Sequence, residues 1–208
     1  MRISLVARAS FAVALLAGVA TRVDGAPIIN NTGLASPDVT ISFSEHVFPT
    51  GTLITNQYAD LGIEFAAGLY YDVQPDFFPE HFLANFSFQG APAHNPDSIT
   101  FTAPVNGAAV ALQSNPGTTT FTALLNGVVV ESFSTGTTLS VLPDLSHASD
   151  FYGFSGILFD ELKIENASGF FQIDDVQYTA VPEPASIVLL GAGLATLAAR
   201  RARRSVRR

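Results

Sequence analysis

Between residues 27 and 180 no stretch of ten or more residues repeats its apolar positions at the helical period; they alternate instead. Alternation at period two, in β-branched and aromatic residues, turns one side of a strand to a core and the other to water. Residues 38–44 place Val39, Ile41 and Phe43 on one side, and residues 61–67 do the same with Leu61, Ile63 and Phe65. Residues 82–88 keep Phe82, Ala84, Phe86 and Phe88 in phase, and further strands are predicted over 98–103, 137–142, 156–159 and 161–165. The run 169–179 closes the series with Phe171, Ile173, Val176 and Tyr178, and its phase slips at Asp174-Asp175, as a β-bulge would make it. Two Asn-Gly pairs, Asn106-Gly107 and Asn126-Gly127, each sit between β-like runs and predict two-residue hairpin turns, the second more clearly. Residues 55–60 read as one helical turn, and 27–37, polar and punctuated by Gly and Pro, as a mobile leader. Short strands at close spacing predict an all-β chain with a single β-sandwich (jelly-roll) domain over 38–180.

With no cysteine, the chain has neither a disulfide framework nor a thiolate metal site. Packing must hold the domain, with or without a metal. Between residues 26 and 180 one basic residue, Lys163, stands against sixteen carboxylates, a net charge of −15. Such a body repels phosphate backbones, which argues against nucleic acid as a partner. It favours cations and solubility.

The two ends differ from this body. Residues 1–25 read as a secretory signal peptide: Arg2 and Arg8, a 12-residue apolar core over 9–20, then small residues with a cleavage point after Gly25. The last 28 residues, 181–208, run Val181-Pro182-Glu183-Pro184, then an uncharged 15-residue stretch over 185–199, then six arginines in the last nine residues. As a helix the uncharged stretch reaches about 22 Å, short of the ~30 Å hydrocarbon core of a bilayer. It can enter a membrane, and the arginines should stay on the cytoplasmic side. The prolines keep the segment before it extended and accessible.

This order of Pro-Glu-Pro block, short apolar run and basic cluster resembles the PEP-CTERM sorting signal of exported Gram-negative proteins. The resemblance implies export by the Sec machinery, temporary membrane retention and processing by an exosortase near Val181, Pro182, Glu183 and Pro184. Delivery to the cell surface or extracellular matrix follows, where exopolysaccharide and biofilm are the expected company. A second resemblance lies in the body. The stretch ISFSEHVFPTGTLITNQYADLGIEF at 41–65 and the closing FYGFSGILFDELKIENASGFFQIDDVQYTAVPEP are similar to a β-sandwich domain common among PEP-CTERM proteins, and imply a jelly roll like that of carbohydrate-binding modules. The sequence departs from that pattern at Ser44-Glu45-His46, where two adjacent acidic residues are more usual.

Three site readings follow. By resemblance to carbohydrate-binding jelly rolls, which often hold a structural calcium between an early acidic residue and an Asp of the last strand, Glu45 and Asp174 or Asp175 are candidate calcium ligands. The alternative is a solvated acidic edge. The aromatic-rich stretch 68–82 offers Tyr70, Tyr71, Phe77 and Phe78 as stacking faces for a glycan; the alternative is that these rings are core. Catalysis finds little footing. His46, His81, His94 and His147 show no paired metal spacing, and Gly153-Phe154-Ser155-Gly156 is one residue short of a nucleophile elbow. The expectation is a non-enzymatic exported protein, with a carbohydrate-binding module as the alternative and a carboxylate-pair hydrolase behind it.

Overall fold

The computed structural model describes residues 25–73, 81–87, 89–139 and 150–181, and Gly193. In chain order the strands are β1 (Ala26–Asn30), β2 (Val39–Ile41), β3 (Leu53–Ile54), β4 (Ile63–Phe65), β5 (Leu69–Val73) and β6 (His81–Ala84). Then come β7 (Asp97–Ser114), β8 (Gly117–Leu125), β9 (Val128–Thr137), β10 (Phe151–Asn166) and β11 (Phe171–Ala180). A 3₁₀ turn, Ala59–Leu61, precedes β4. The fold is all-β and its pairings antiparallel, in the order β3-β5-β6-β11-β7-β10-β8-β9, with β1 beside β10, β2 beside β11 and β4 beside β7.

Two long strands turn this one sheet into two facing leaves. The first residues of β7 pair with β4 and with the far half of β10, which continues to β8 and β9. The last residues of β7 pair with the near half of β10 and with β11, which carries β6 and β5. Between the halves, the β7–β10 register shifts on both sides of Phe159. Bulges of this kind bend a strand and raise its twist. The leaves then meet through aromatic side chains. Phe121 of β8 stacks on Tyr152 of β10 at 5.1 Å, Phe133 of β9 meets Phe154 edge-on at 5.1 Å, and Phe101 of β7 meets Tyr178 of β11 at 5.5 Å. A second buried cluster of Ile28, Phe82, Ala84, Ala109, Ala111 and Phe151 covers the other face of the β7–β11 leaf. β7 is buried on both faces there, which is why residues 107–112 read as an unbroken small apolar run.

The bulge expected at Asp174-Asp175 is present. Ile173 pairs with Leu112 and Val176 with Val110, so both aspartates face the single residue Ala111. The Asn126-Gly127 turn is also present, with both residues at positive φ, 51° and 75°, between the pairs Leu125–Val128 and Leu124–Val129. The Asn106-Gly107 turn is not. Both residues lie inside β7, where Gly107 pairs with Ser155 on one side and Thr179 on the other. Ladders on two sides override the local turn preference. The expected leader is likewise a strand: β1 pairs over its whole length with β10, so only the stretch from Asn31 to Asp38 connects. The predicted strands 156–159 and 161–165 are one element, β10. The strand 38–44 ends early because Phe43 takes a left-handed conformation, φ 60°. β9 ends at Thr137, and residues 140–142 of the strand expected there lie outside the described residues.

Three local devices fix this architecture. Tyr58, fully buried, packs edge-on against Phe43 at 5.4 Å, and its hydroxyl lies 3.1 Å from both the Phe43 and the His46 carbonyl oxygens, to which it donates. That contact holds the strained Phe43 turn against the core. Asn85, also fully buried, donates to the carbonyls of His94 and Gly169 at 2.8 Å each and accepts from the Phe171 N–H at 2.8 Å. It ties the end of β6 to the β10–β11 turn. At Gly153 the two long strands approach so closely that a β-carbon would lie 1.9 Å from the Ala108 carbonyl oxygen.

Candidate functional site

The residues that matter for sorting lie where β11 runs out. Ala180 pairs with Val105 and donates its N–H to the Asp38 carboxylate at 2.9 Å, while Asp38 donates its own N–H to Tyr178 at 3.0 Å. Tyr178 in turn donates its hydroxyl to the Leu61 carbonyl at 2.8 Å. Burial, and then the nearby Asp38 charge, push the Tyr178 hydroxyl pKa up, so it stays a donor at neutral pH. The last strand is thus held to its final residue. Val181 follows at 41% exposure, outside the ladder. Pro182, Glu183, Pro184 and the expected short membrane helix lie outside the described residues; among those described, no helix is long and apolar enough to cross a membrane.

The expected signal-peptide cut is close by. Ala26, the residue after the expected signal-peptide cut, pairs with Ser155, Ser155 with Gly107, and Gly107 with Thr179. These four residues form one row across β1, β10, β7 and β11. Three strand spacings separate the ends of that row, about 14 Å. Both points therefore sit at the same pole of the body, where β7 and β10 bend. A groove of about 430 Å³ lies beside this row, lined by Pro27, Asn30, Leu34, Asn106, Ser155 and Thr179 among others.

The candidate ligand residues differ in their surroundings. Glu45 is exposed, and its Oε1 accepts from the Ser42 N–H at 2.9 Å and the Ser42 hydroxyl at 3.2 Å. It closes a local turn. Asp174 is buried, at 3% exposure, and Asp175 half-buried, on the bulge. Among the described residues no three His, Asp or Glu side chains gather in a way that could hold a metal ion, so Glu45, Asp174 and Asp175 form no such cluster. The aromatic set is split too. Tyr71 is fully buried, edge-on to Phe48 at 5.5 Å and stacked on His81 at 5.2 Å, so it has no face for a glycan. Its position explains this: Leu69 and Tyr71 point into the core, whereas Tyr70 falls on the opposite face. Tyr70 is half-buried beside His94, with ring centroids 5.8 Å apart. Phe77 and Phe78 lie outside the described residues.

One buried acid escaped the sequence reading. Asp97, at 3% exposure, accepts from the N–H groups of Ser98 at 2.7 Å and Ala67 at 3.1 Å through Oδ1, while its Oδ2 is buried with no hydrogen-bond partner. Burial raises its pKa above the ordinary carboxylate value; the two N–H bonds and His94 pull the other way and do not cancel it. Nothing in a single Asp at a strand start announces burial. Asn30 and Asn166 carried a readable signal. Each opens an Asn-x-Thr or Asn-x-Ser triplet, and in the structure Asn30 accepts from the Thr32 N–H at 2.9 Å and Asn166 from the Ser168 N–H at 2.8 Å. These are Asx-turns, in which the side chain imitates a backbone turn.

Comparison with known proteins separates the tail from the body. No curated protein matches the chain. Residues 180–204 match the family model described as the PEP-CTERM protein-sorting motif, which begins on the final residue of β11. The chain thus carries, directly after its last strand, the motif of an exported protein handled at the membrane by an exosortase.

Proposed function

We propose that this chain is a non-enzymatic surface protein whose jelly-roll-type body is exported, held briefly at the membrane of a Gram-negative cell by its tail, and released into the exopolysaccharide or biofilm matrix. The observation that carries this reading is the junction. The sorting motif starts where the hydrogen-bonded ladder stops, so Pro182-Glu183-Pro184 follows a clamped strand end with one exposed residue between. An enzyme that cuts an extended segment needs such access. A Pro182→Ala, Glu183→Ala, Pro184→Ala triple variant, followed by pulse-chase and fractionation, tests it. Full-length chain should accumulate in the membrane fraction and the released form disappear; release at the normal rate overturns the reading.

The carbohydrate-binding alternative keeps one observation in its favour: Tyr70 is partly open and lies beside an imidazole. Polysaccharide pull-down with Tyr70→Ala tests it, and binding unaffected by the substitution removes it. No hydrolase reading has a comparable observation behind it.

A further inference from the structure

We propose that the open edge of β9 pairs with the same edge of a second copy, so that the exported body is a two-fold β-edge dimer. β9 is ten residues long and terminates the strand order, paired only with β8 among the described residues. The outer peptide groups can be assigned. Ser132 and Ser134 sit opposite Thr122 and Thr120, and their hydroxyls meet across the ladder at 3.1 and 2.8 Å, as at closely approaching non-hydrogen-bonded positions. Their N–H and C=O groups therefore point away from β8. The Ser132 N–H confirms the direction: it bonds at 3.1 Å to the Glu131 side chain rather than to the neighbouring strand. By alternation, Ser134 and Gly136 present theirs to the same open side.

Natural sheet edges are usually shortened, charged, bulged or interrupted by proline. The other free edges here follow that rule. β3 has two residues, β2 and β4 three each, and β1 carries Pro27 in its five. On β9 a register shift next to Val129 leaves a regular run from Glu131 to Thr137, with Glu131 its one charge and no lysine or proline.

The partner is argued from geometry. The edge at the far end of the strand order, two-residue β3, is too short to receive β9, and five-residue β1 is interrupted by Pro27, so among the described residues head-to-tail growth has no docking strand of comparable length. An isologous pair closes on itself and needs only the one edge. An antiparallel two-fold centred on Ser134 sets Ser134 against Ser134 and Ser132 against Gly136, which uses all three outward-facing residues, the Ser132 N–H exchanging its bond to Glu131 for the Gly136 carbonyl of the second copy. The two Glu131 carboxylates then fall about 20 Å apart along the ladder, more than a Debye length at physiological salt. The whole bodies remain alike in charge, −15 each between residues 26 and 180. Added salt should therefore strengthen the dimer, the reverse of an oppositely charged pair.

Absence of cysteine makes the test direct. Single cysteines are placed at Ser132, Ser134 and Gly136 of the full chain, with Thr40→Cys, on an exposed position of β2, as control. Facing residues of a hydrogen-bonded antiparallel pair are about 5.5 Å apart at Cα, within disulfide reach. Residues two positions from the axis are about 13 Å from their own copies and out of reach. Ser134→Cys should give a species of twice the mass on non-reducing gels, while Ser132→Cys, Gly136→Cys and Thr40→Cys give little. Light scattering of the released wild-type protein should show a dimer whose fraction rises from low to high salt. Ser134→Pro removes an outward N–H that the β8 ladder does not use, and should leave a folded monomer. Equal cross-linking at all four positions, or a wild-type monomer at every salt concentration, overturns the proposal.

Discussion

Replacing Tyr58 by Phe removes one oxygen from the core and nothing else. The ring keeps its edge-on packing with Phe43, so no cavity opens. What is lost is the donor shared by two carbonyls, those of Phe43 and His46, each 3.1 Å away. A net intramolecular hydrogen bond contributes about 0.5–1.5 kcal/mol, and a buried acceptor left bare costs about 1–3 kcal/mol. A loss near 2 kcal/mol is expected. At 2–4 °C per kcal/mol for a domain of this size, that lowers the melting temperature by about 4–8 °C. The same substitution has a second signature at high pH. Burial, with smaller contributions from Tyr71 and Glu45, holds the Tyr58 hydroxyl far above its ordinary value of 10.0 in the folded state. Above pH 10 the unfolded chain gives up this proton and the folded chain keeps it, so wild-type stability falls with pH by about 1.4 kcal/mol per unit from this group alone. Tyr58→Phe lacks that contribution. Urea denaturation of the released protein at pH 7, 10 and 11 should show a less stable variant whose disadvantage shrinks as pH rises. A melting temperature within a degree of wild type and an unchanged alkaline slope would refute the role given to this hydroxyl.

Asn85→Ala removes three buried hydrogen bonds that tie β6 to the β10–β11 turn, and should cost about 3 kcal/mol or more, read as a fall in the urea midpoint. Gly153→Ala forces a β-carbon onto the Ala108 carbonyl; β7 and β10 must separate, and a loss of about 1–3 kcal/mol is expected in the same assay. Asp97 has its pKa raised by burial, so its protonated form suits the fold: that stabilisation is complete below about pH 3.8 and lost as pH rises through the folded value. Asp97→Asn cannot lose a proton, so its melting temperature should gain on wild type as pH rises above about 3.8 and level off once the raised folded value is passed; a difference constant across the whole titration contradicts the assignment. Chelation by EDTA should leave the melting temperature of the released protein unchanged, because among the described residues no three His, Asp or Glu side chains gather to hold a metal ion, and Glu45 is engaged by Ser42.

Period-two alternation was enough to identify an all-β chain, and the bulge could be located because the apolar phase of Phe171 and Ile173 resumes one residue late, at Val176 and Tyr178. Local signals failed where tertiary pairing outweighed them. Asn106-Gly107 and Asn126-Gly127 are the same dipeptide, yet only the second turns, since the first is claimed by ladders on both sides. Residues 26–30 carry only one buried side chain, Ile28, so their sequence gives no sign of the strand partner that orders them. For the candidate glycan site, adjacency in the chain did not put the side chains on one face. Alternation sends Tyr70 and Tyr71 to opposite faces, and the Glu45 carboxylate is consumed by its own turn. The sorting tail was readable because its chemistry is linear: a Pro-Glu-Pro block, an apolar run and a basic cluster keep their meaning without a partner strand.

The row Ala26–Ser155–Gly107–Thr179 has a mechanical consequence. With entry on β1 and exit on β11 three strand spacings apart at one pole, about 14 Å, the body could be accepted as a cassette within a surface loop of a host protein, with no long spacer at either junction. Under the proposed retention by the tail, drag from flowing liquid enters the body through β11. Its clamp at Asp38 and the β7 ladder bear that load.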